Sequence, residues 1–250
     1  MDAIERQTSW QKLRRFTTAN VALQTTGSSL TTRTVLNHEL AQAHARDAVL
    51  LNMDPAQLAE SMTRLGRGVV QTHSAAADRA EYLMRPDLGR KLDPLSREEL
   101  GQLRSIPSPD IVFVVADGLS SVAVLNHALP VLDVVLANSN HLCIGPVVIA
   151  SNARVALGDE IGQLLGAQSV AVLIGERPGS SSPDSMGIYY TYGPRIGTTD
   201  AQRNCISNIR PSGLSYDAAG RELLALIGKA RMAGSSGVQL LTRNRPDELR

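Results

Sequence analysis

Ser169-Val-Ala-Val-Leu-Ile174, followed at once by Gly175-Glu-Arg-Pro-Gly179, is the stretch on which the fold turns. A short β-branched apolar run that stops at a Gly/Pro loop reads as a buried strand whose carboxyl end presents that loop. In open α/β sheets, ligands bind at the carboxyl ends of the strands. The stretch continues through Tyr189-Tyr-Thr-Tyr192 to Arg203-Asn-Cys-Ile-Ser-Asn-Ile209, and residues 169–209 organise the rest of the chain. The tyrosine cluster suits sheet packing, as aromatic residues favour strands.

Moving outward, Asp110-Ile-Val-Phe-Val-Val-Ala116 is a near-continuous apolar run of the kind expected for a strand covered on both faces. Asp117-Gly-Leu-Ser-Ser then turns into a helix through about Asn138, kinked or restarted at Pro130. A strand at Pro146–Ala150, a helix at Gly158–Leu165, a helix at Tyr216–Met232 and a last strand at Gly237–Leu241 complete the series. Strands alternating with helices predict an α/β fold with a parallel, doubly wound sheet. Asp117 is expected to cap its helix, although a carboxylate beside free helix amides also suits polar ligand groups.

The front half reads differently. Residues 1–33 look like an arm with a weak helical patch at Trp10–Phe16. From Thr34 to Met53, Leu36, Leu40, Ala43 and Leu51 fall on one helical stripe. His44 and Asp47 sit on or beside it, and either pair within the helix or face a partner subunit. Asp54-Pro55 starts a helix that runs to about Leu65. Gly66–Thr72 is extended, Ala75–Met84 a helix and Arg85–Arg90 a turn. Gly66 and Gly68 follow a helix, not a strand, so they make no phosphate loop. In the next short helix Ser96 is read as the cap, with Glu99 completing a capping box. The boundary falls within residues 92–109, giving a mostly helical N-terminal region, 1–95, with subunit contacts, and a sheet domain, 96–250.

Composition excludes several function classes. The chain has 250 residues, 43% hydrophobic, enough for a sizeable core. A net charge of +1 and 3% aromatic residues argue against a nucleic-acid reader. No apolar run approaches the ~20 residues of a membrane span, and the start Met1-Asp-Ala-Ile-Glu-Arg lacks a signal core. The expected location is the cytosol. Cys143 and Cys205 form no C-x-x-C pair; burial as an apolar residue is the commoner fate of a lone cysteine, and composition alone does not choose. The turn after the strand at 110–116 has one glycine and not G-x-G-x-x-G. Walker A, H-E-x-x-H and G-x-S-x-G motifs are absent too. No independent redox, phosphoryl-transfer or hydrolase site is written in the chain.

Several segments together carry a family resemblance: Gly175-Glu-Arg-Pro-Gly179, Tyr192-Gly-Pro-Arg195 with Thr198-Thr199, and Cys205-Ile-Ser-Asn-Ile209. His44-Ala-Arg-Asp-Ala-Val49, Tyr82-Leu-Met-Arg-Pro-Asp-Leu-Gly-Arg90 and Asp110–Ser120 belong to the same series. In this order they resemble the ethanolamine ammonia-lyase small (light) subunit, from about residue 40 to the end. Between Ala19 and Leu36 the chain departs from the family, with Asn20-Val21 and Gln24-Thr25 where the family carries Arg-Ile/Leu and Gly-Arg.

The resemblance implies a lyase that depends on adenosylcobalamin and converts ethanolamine to acetaldehyde and ammonia. A TIM-barrel large subunit would bind ethanolamine and carry out the chemistry. The small subunit, with a Rossmann-like domain, would help hold cobalamin at the subunit interface, so no catalytic residue falls in this chain. Carried over by position, the cofactor contacts are Val155, Glu176 and Cys205. A carboxylate such as Glu176 can accept from the amide arms of the corrin, while Val155 and Cys205 can serve through their backbones. The structural alternative for Glu176 is a surface ion pair with Arg177 or Arg195. None of the five histidines stands in D-x-H-x-x-G. The cofactor is therefore expected base-on, with no metal ligand from this chain. Two alternatives remain: a scaffold subunit joining the large subunit to a protein shell, and a stand-alone Rossmann-like oxidoreductase. The sequence leaves open whether the protein is free in cytosol or inside a bacterial microcompartment.

Overall fold

The structure, a computed structural model, describes Lys12, Phe16, Val21 and residues 23–104, 107–179 and 182–243. Apart from Lys12 and Phe16, the helical patch expected at Trp10–Phe16 lies outside the described residues.

Two short strands, β1 (Thr25–Thr26) and β2 (Ser29–Leu30), form an antiparallel hairpin. Helix α1 (Thr32–Leu50) follows, and the Thr31 side chain caps it by accepting from the Thr34 N–H. Leu36 and Leu40, on the stripe read from sequence, are each 57% exposed. His44 and Asp47 are exposed as well, and no ion pair joins them, so the intrahelical pairing suggested by their spacing does not form. Helix α2 (Pro55–Thr63) starts as expected, with the Asp54 carboxylate accepting from Ala56 and Gln57. β3 (Val69–His73) is followed by α3 (Arg79–Met84), which starts later than the Ala75 read from sequence.

Helix α4 (Pro94–Gln102) is capped by Asp93 and not by Ser96. Pro94 fits the first helical position, so the helix begins ahead of Ser96. The Ser96 hydroxyl instead accepts from the His73 N–H at 2.9 Å and ties α4 to β3.

The second half supplies β4 (Ile111–Ala116), α5 (Ser121–Ala137), β5 (Ile144–Ser151), α6 (Leu157–Leu165) and β6 (Ser169–Gly175). It continues with β7 (Met186–Tyr192), β8 (Arg203–Ile209), α7 (Tyr216–Ala233) and α8 (Val238–Arg243). Pro130 lies inside α5 without dividing it.

One six-stranded sheet has the order β3-β5-β4-β6-β7-β8. β3, β5, β4 and β6 run parallel, whereas β7 and β8 are antiparallel to their neighbours. The fold is thus α/β with a mainly parallel sheet, and its first strand comes from upstream of the 92–109 boundary. Every residue of β4 and β6 is buried, as central strands covered on both faces require. Phe113 and Val115 point to one core with α2, α5 and α7. Val112 and Val114 point to another with α4 and α6.

The last strand expected at Gly237–Leu241 is instead α8. So short an apolar run does not separate a strand from a helix by its periodicity. Here Gly237 N–H is held by the Asn204 side chain at 2.7 Å, and α8 packs Leu240 into the first core.

Candidate functional site

The crossovers leave the sheet on opposite faces after β4 and β5, through α5 and α6. That switch is where open α/β sheets form a ligand crevice. Here the protein fills it itself. Asp117, 2% exposed, accepts from the backbone N–H of Asn152 and of Ala153, both at 2.9 Å, beyond the end of β5. Arg79 from α3 donates to the same carboxylate at 3.2 Å, to the Gly118 carbonyl at 2.8 Å and to the Val49 carbonyl at 2.8 Å. Asp117 therefore does not cap α5, contrary to the sequence reading. Its carboxylate is drawn across to β5, and the N-cap position belongs to Ser120. Burial pushes the Asp117 carboxyl up, opposed by these N–H groups and by Arg79. Tyr82 extends the plug by donating to the Ala153 carbonyl at 3.1 Å, with the Arg154 guanidinium 4.4 Å from its ring centre.

Next to this plug the second face of the sheet opens. Val172, Tyr189 and Cys205 are in register across β6, β7 and β8. Val172 is buried under α6, Tyr189 is half-buried and Cys205 is exposed, so the helical cover runs out across this row. Val155, in the turn from β5 to α6, packs half-buried against the same core as Tyr189. The row below is closed by Arg203, whose guanidinium binds the Asp159 carboxylate at 2.6 Å and the Thr191 hydroxyl at 3.2 Å. Burial raises the Asp159 carboxyl, opposed chiefly by Arg203.

Glu176 stands at the upper edge. The chain leaves β6 at Gly175, whose backbone lies directly on the β4–α5 turn: Leu119 N–H donates to its carbonyl at 3.0 Å. A Cβ at Gly175 would collide with backbone of that turn, so the Gly before Glu176 is sterically required. The Glu176 N–H donates to the Ser185 carbonyl at 2.9 Å. Its carboxylate accepts from the Ser185 hydroxyl at 2.7 Å and from the Asn208 N–H at 3.2 Å. Opposite it, a Cβ on Gly187 would come within 2.9 Å of Glu176 Oε1, so the glycine leaves the carboxylate its place over β7. The alternative ion pair with Arg177 or Arg195 does not form.

Glu176 and Cys205 therefore lie along the same face of β7, Glu176 over the buried Gly187 and Cys205 in register with Tyr189, while Val155 packs against the core that Tyr189 also joins. Both cysteines are exposed free thiols, which decides a point composition left open. Partial burial pushes the Cys205 thiol up, the Tyr189 hydroxyl bonded to it pulls the other way, and the Glu176 charge adds to the rise. Tyr189 is itself pushed up to about 12, by burial first and then by Cys205. As the edge strand, β8 also turns every second backbone N–H and C=O away from the sheet. Among the described residues no group of three His, Cys, Asp or Glu could hold a metal ion. Among the described residues, too, no helix is long and apolar enough to cross a membrane.

The sequence reading missed Ser185 and Asn208. They meet at Glu176 because β6, β7 and β8 fold back antiparallel, and no local spacing carries that signal.

The family model for the ethanolamine ammonia-lyase light chain matches residues 7–241. An ethanolamine ammonia-lyase small subunit from Ralstonia nicotianae is 49% identical over 239 residues, covering 94% of this chain and 88% of that protein. One from Pseudomonas fluorescens is 49% identical over 241 residues, covering 95% and 88%. A third, from Xanthomonas campestris pv. campestris, is 50% identical over 236 residues, covering 93% and 87%. The resemblance read from Gly175–Gly179, Cys205–Ile209 and the segments before them extends over nearly the whole chain, which belongs to the ethanolamine ammonia-lyase light-chain, or small-subunit, family.

Proposed function

We propose that this chain clamps adenosylcobalamin against the large subunit of an ethanolamine ammonia-lyase, on a shelf bordered by Val155, Glu176 and Cys205. The observation that supports the reading is that Glu176 and the exposed Cys205 lie along one face of β7 beside Tyr189, with Val155 packed against the same core. The donor set fits the group. A carboxylate has about four lone-pair sites, and Glu176 accepts one hydroxyl and one backbone N–H, so it retains capacity for amide arms of the corrin. Tyr189, Gly187 and Val155 offer a surface of mixed apolar character on which a broad ring can rest.

When bound, adenosylcobalamin supplies the radical chemistry of the lyase through its cobalt–carbon bond. This chain's residues bind and orient the cofactor and exclude water from one side of it. They hold no catalytic proton, and ethanolamine is bound by the large subunit. In this reading the chain would supply no ligand to cobalt. We read the sheet as Rossmann-like, because α5 and α6 leave its centre on opposite faces. Residues 1–95 then supply subunit contacts and residues 96–250 the cofactor surface, with β3 joining the two parts.

Glu176→Ala removes an acceptor at the shelf edge and no core volume. In the complex with the large subunit, its adenosylcobalamin dissociation constant by equilibrium dialysis is expected to rise roughly tenfold, the scale of one charge-assisted hydrogen bond. Unchanged affinity would return Glu176 to a structural role.

A further inference from the structure

On the opposite side of the β6–β7 loop from the shelf lies a buried polar cluster that the cofactor contacts do not use. His127 of α5 is 3% exposed. Its Nδ1 lies 2.9 Å from the hydroxyl of Tyr216, the first residue of α7. Its Nε2 faces Asp184 Oδ2 at 3.5 Å and has no hydrogen-bond partner. With the tyrosine hydroxyl donating to Nδ1, the ring's own proton sits on Nε2 and points at the carboxylate. Neighbouring contacts hold the same stem of the loop. The Ser120 hydroxyl, just ahead of α5, donates to the Pro183 carbonyl at 3.0 Å. Ser185, adjacent to Asp184 in sequence, is the residue that engages Glu176 through both its hydroxyl and its carbonyl.

A buried imidazole with one nitrogen unmatched costs stability that an apolar residue of similar size would not. What this imidazole provides in return is a directed contact with the loop. The path runs Tyr216, His127, Asp184, Ser185, Glu176 and on to the Asn208 N–H of β8, linking the covered face of the sheet to the open one.

We propose that His127 is a positioning residue for the cofactor. Through Asp184 it holds the Pro183–Ser185 segment ahead of β7 in the position that sets Ser185 against Glu176 and presents the Glu176 carboxylate beside β7. This rests on the reading of Glu176 as a cobalamin contact, and the experiment separates the two. His127→Ala, His127→Gln, His127→Asn and Glu176→Ala are each assembled with the large subunit. Amide hydrogen exchange is followed at Glu176 and Asn208, and adenosylcobalamin affinity is measured by equilibrium dialysis. Gln places a neutral donor near the position of Nε2, whereas Asn reaches only as far as Nδ1.

His127→Ala and His127→Asn are expected to lose protection at both amides and to bind the cofactor roughly tenfold more weakly, with His127→Gln within about twofold of the parent. Unchanged protection in His127→Ala, or Gln no better than Asn, overturns the tether. If protection falls without a change in affinity, Glu176→Ala decides. Weakened binding there rejects the positioning role of His127, and unchanged binding there rejects the cofactor reading of Glu176 itself.

Discussion

Asp117 shows what single residues carry in this protein. Its carboxylate is buried at the centre of the sheet's carboxyl edge, and Arg79 is the cation opposite it, 3.2 Å away. Removing one partner of a buried pair leaves an uncompensated charge, so Arg79→Met is expected to lower unfolding stability in urea by about 3–5 kcal/mol. A loss within experimental error would show that the backbone donors alone support the carboxylate. From sequence, Asp117-Gly-Leu-Ser-Ser reads as a helix cap. The true acceptor role depends on Asn152 and Ala153, far along the chain, and local spacing cannot reveal it. Cys205 gives a pH-dependent prediction. A thiol held above its ordinary value has less thiolate at a given pH, so its alkylation starts at higher pH. In a Cys143→Ser background of the chain alone, the midpoint of the alkylation profile is expected above that of a free thiol. Burial is the main cause of the rise, and Glu176→Gln, which removes the charge that adds to it, should move the midpoint down by a smaller amount. A midpoint indifferent to Glu176 would contradict the shelf geometry.

At the scale of elements, the sequence was most informative where periodicity and punctuation agree. The strands read at 110–116, 146–150 and 169–174 announce themselves as β-branched runs between turn residues. Asp54-Pro55 marks the start of α2 because cap and first-turn chemistry are local. Ser96 misled because Asp93-Pro94 offers a stronger start nearby, and α8 misled because six residues hold too little pattern to separate helix from strand. Strands β7 and β8 and their antiparallel direction are set by tertiary pairing, and the tyrosine cluster signalled sheet packing without marking a strand's bounds or direction. Helix α1 is thinly covered, with Ala48 its one buried residue, and Leu36 and Leu40 project from it, each 57% exposed. Scattered exposed leucines are ordinary, but two on one stripe suit a partner surface. The paired substitution Leu36→Glu with Leu40→Glu is expected to weaken association with the large subunit at least tenfold in sedimentation equilibrium. The melting temperature of the chain alone should stay within about 2 °C, since exposed side chains contribute little to its core. Undiminished association would place the subunit contact elsewhere.

At the scale of the whole molecule, a three-layer α/β body presents one closed edge and one open face. The switch between β4 and β5, the usual ligand crevice, is plugged by Asp117, Arg79 and Tyr82. Helical cover fails instead over β7 and β8, beside the loop that carries Glu176. General sheet rules point to the carboxyl end of the strands, and only the family motifs single out Val155, Glu176 and Cys205. Neither a G-x-G-x-x-G turn nor a hydrolase elbow is present, in keeping with a chain whose chemistry is completed by another subunit. The most direct measurement mixes this chain with a cognate large subunit, adenosylcobalamin and ethanolamine and follows acetaldehyde, with each subunit alone as control. Acetaldehyde formed only when both subunits are present is the predicted result. No acetaldehyde, with a large subunit that is active with its usual partner, would contradict the account.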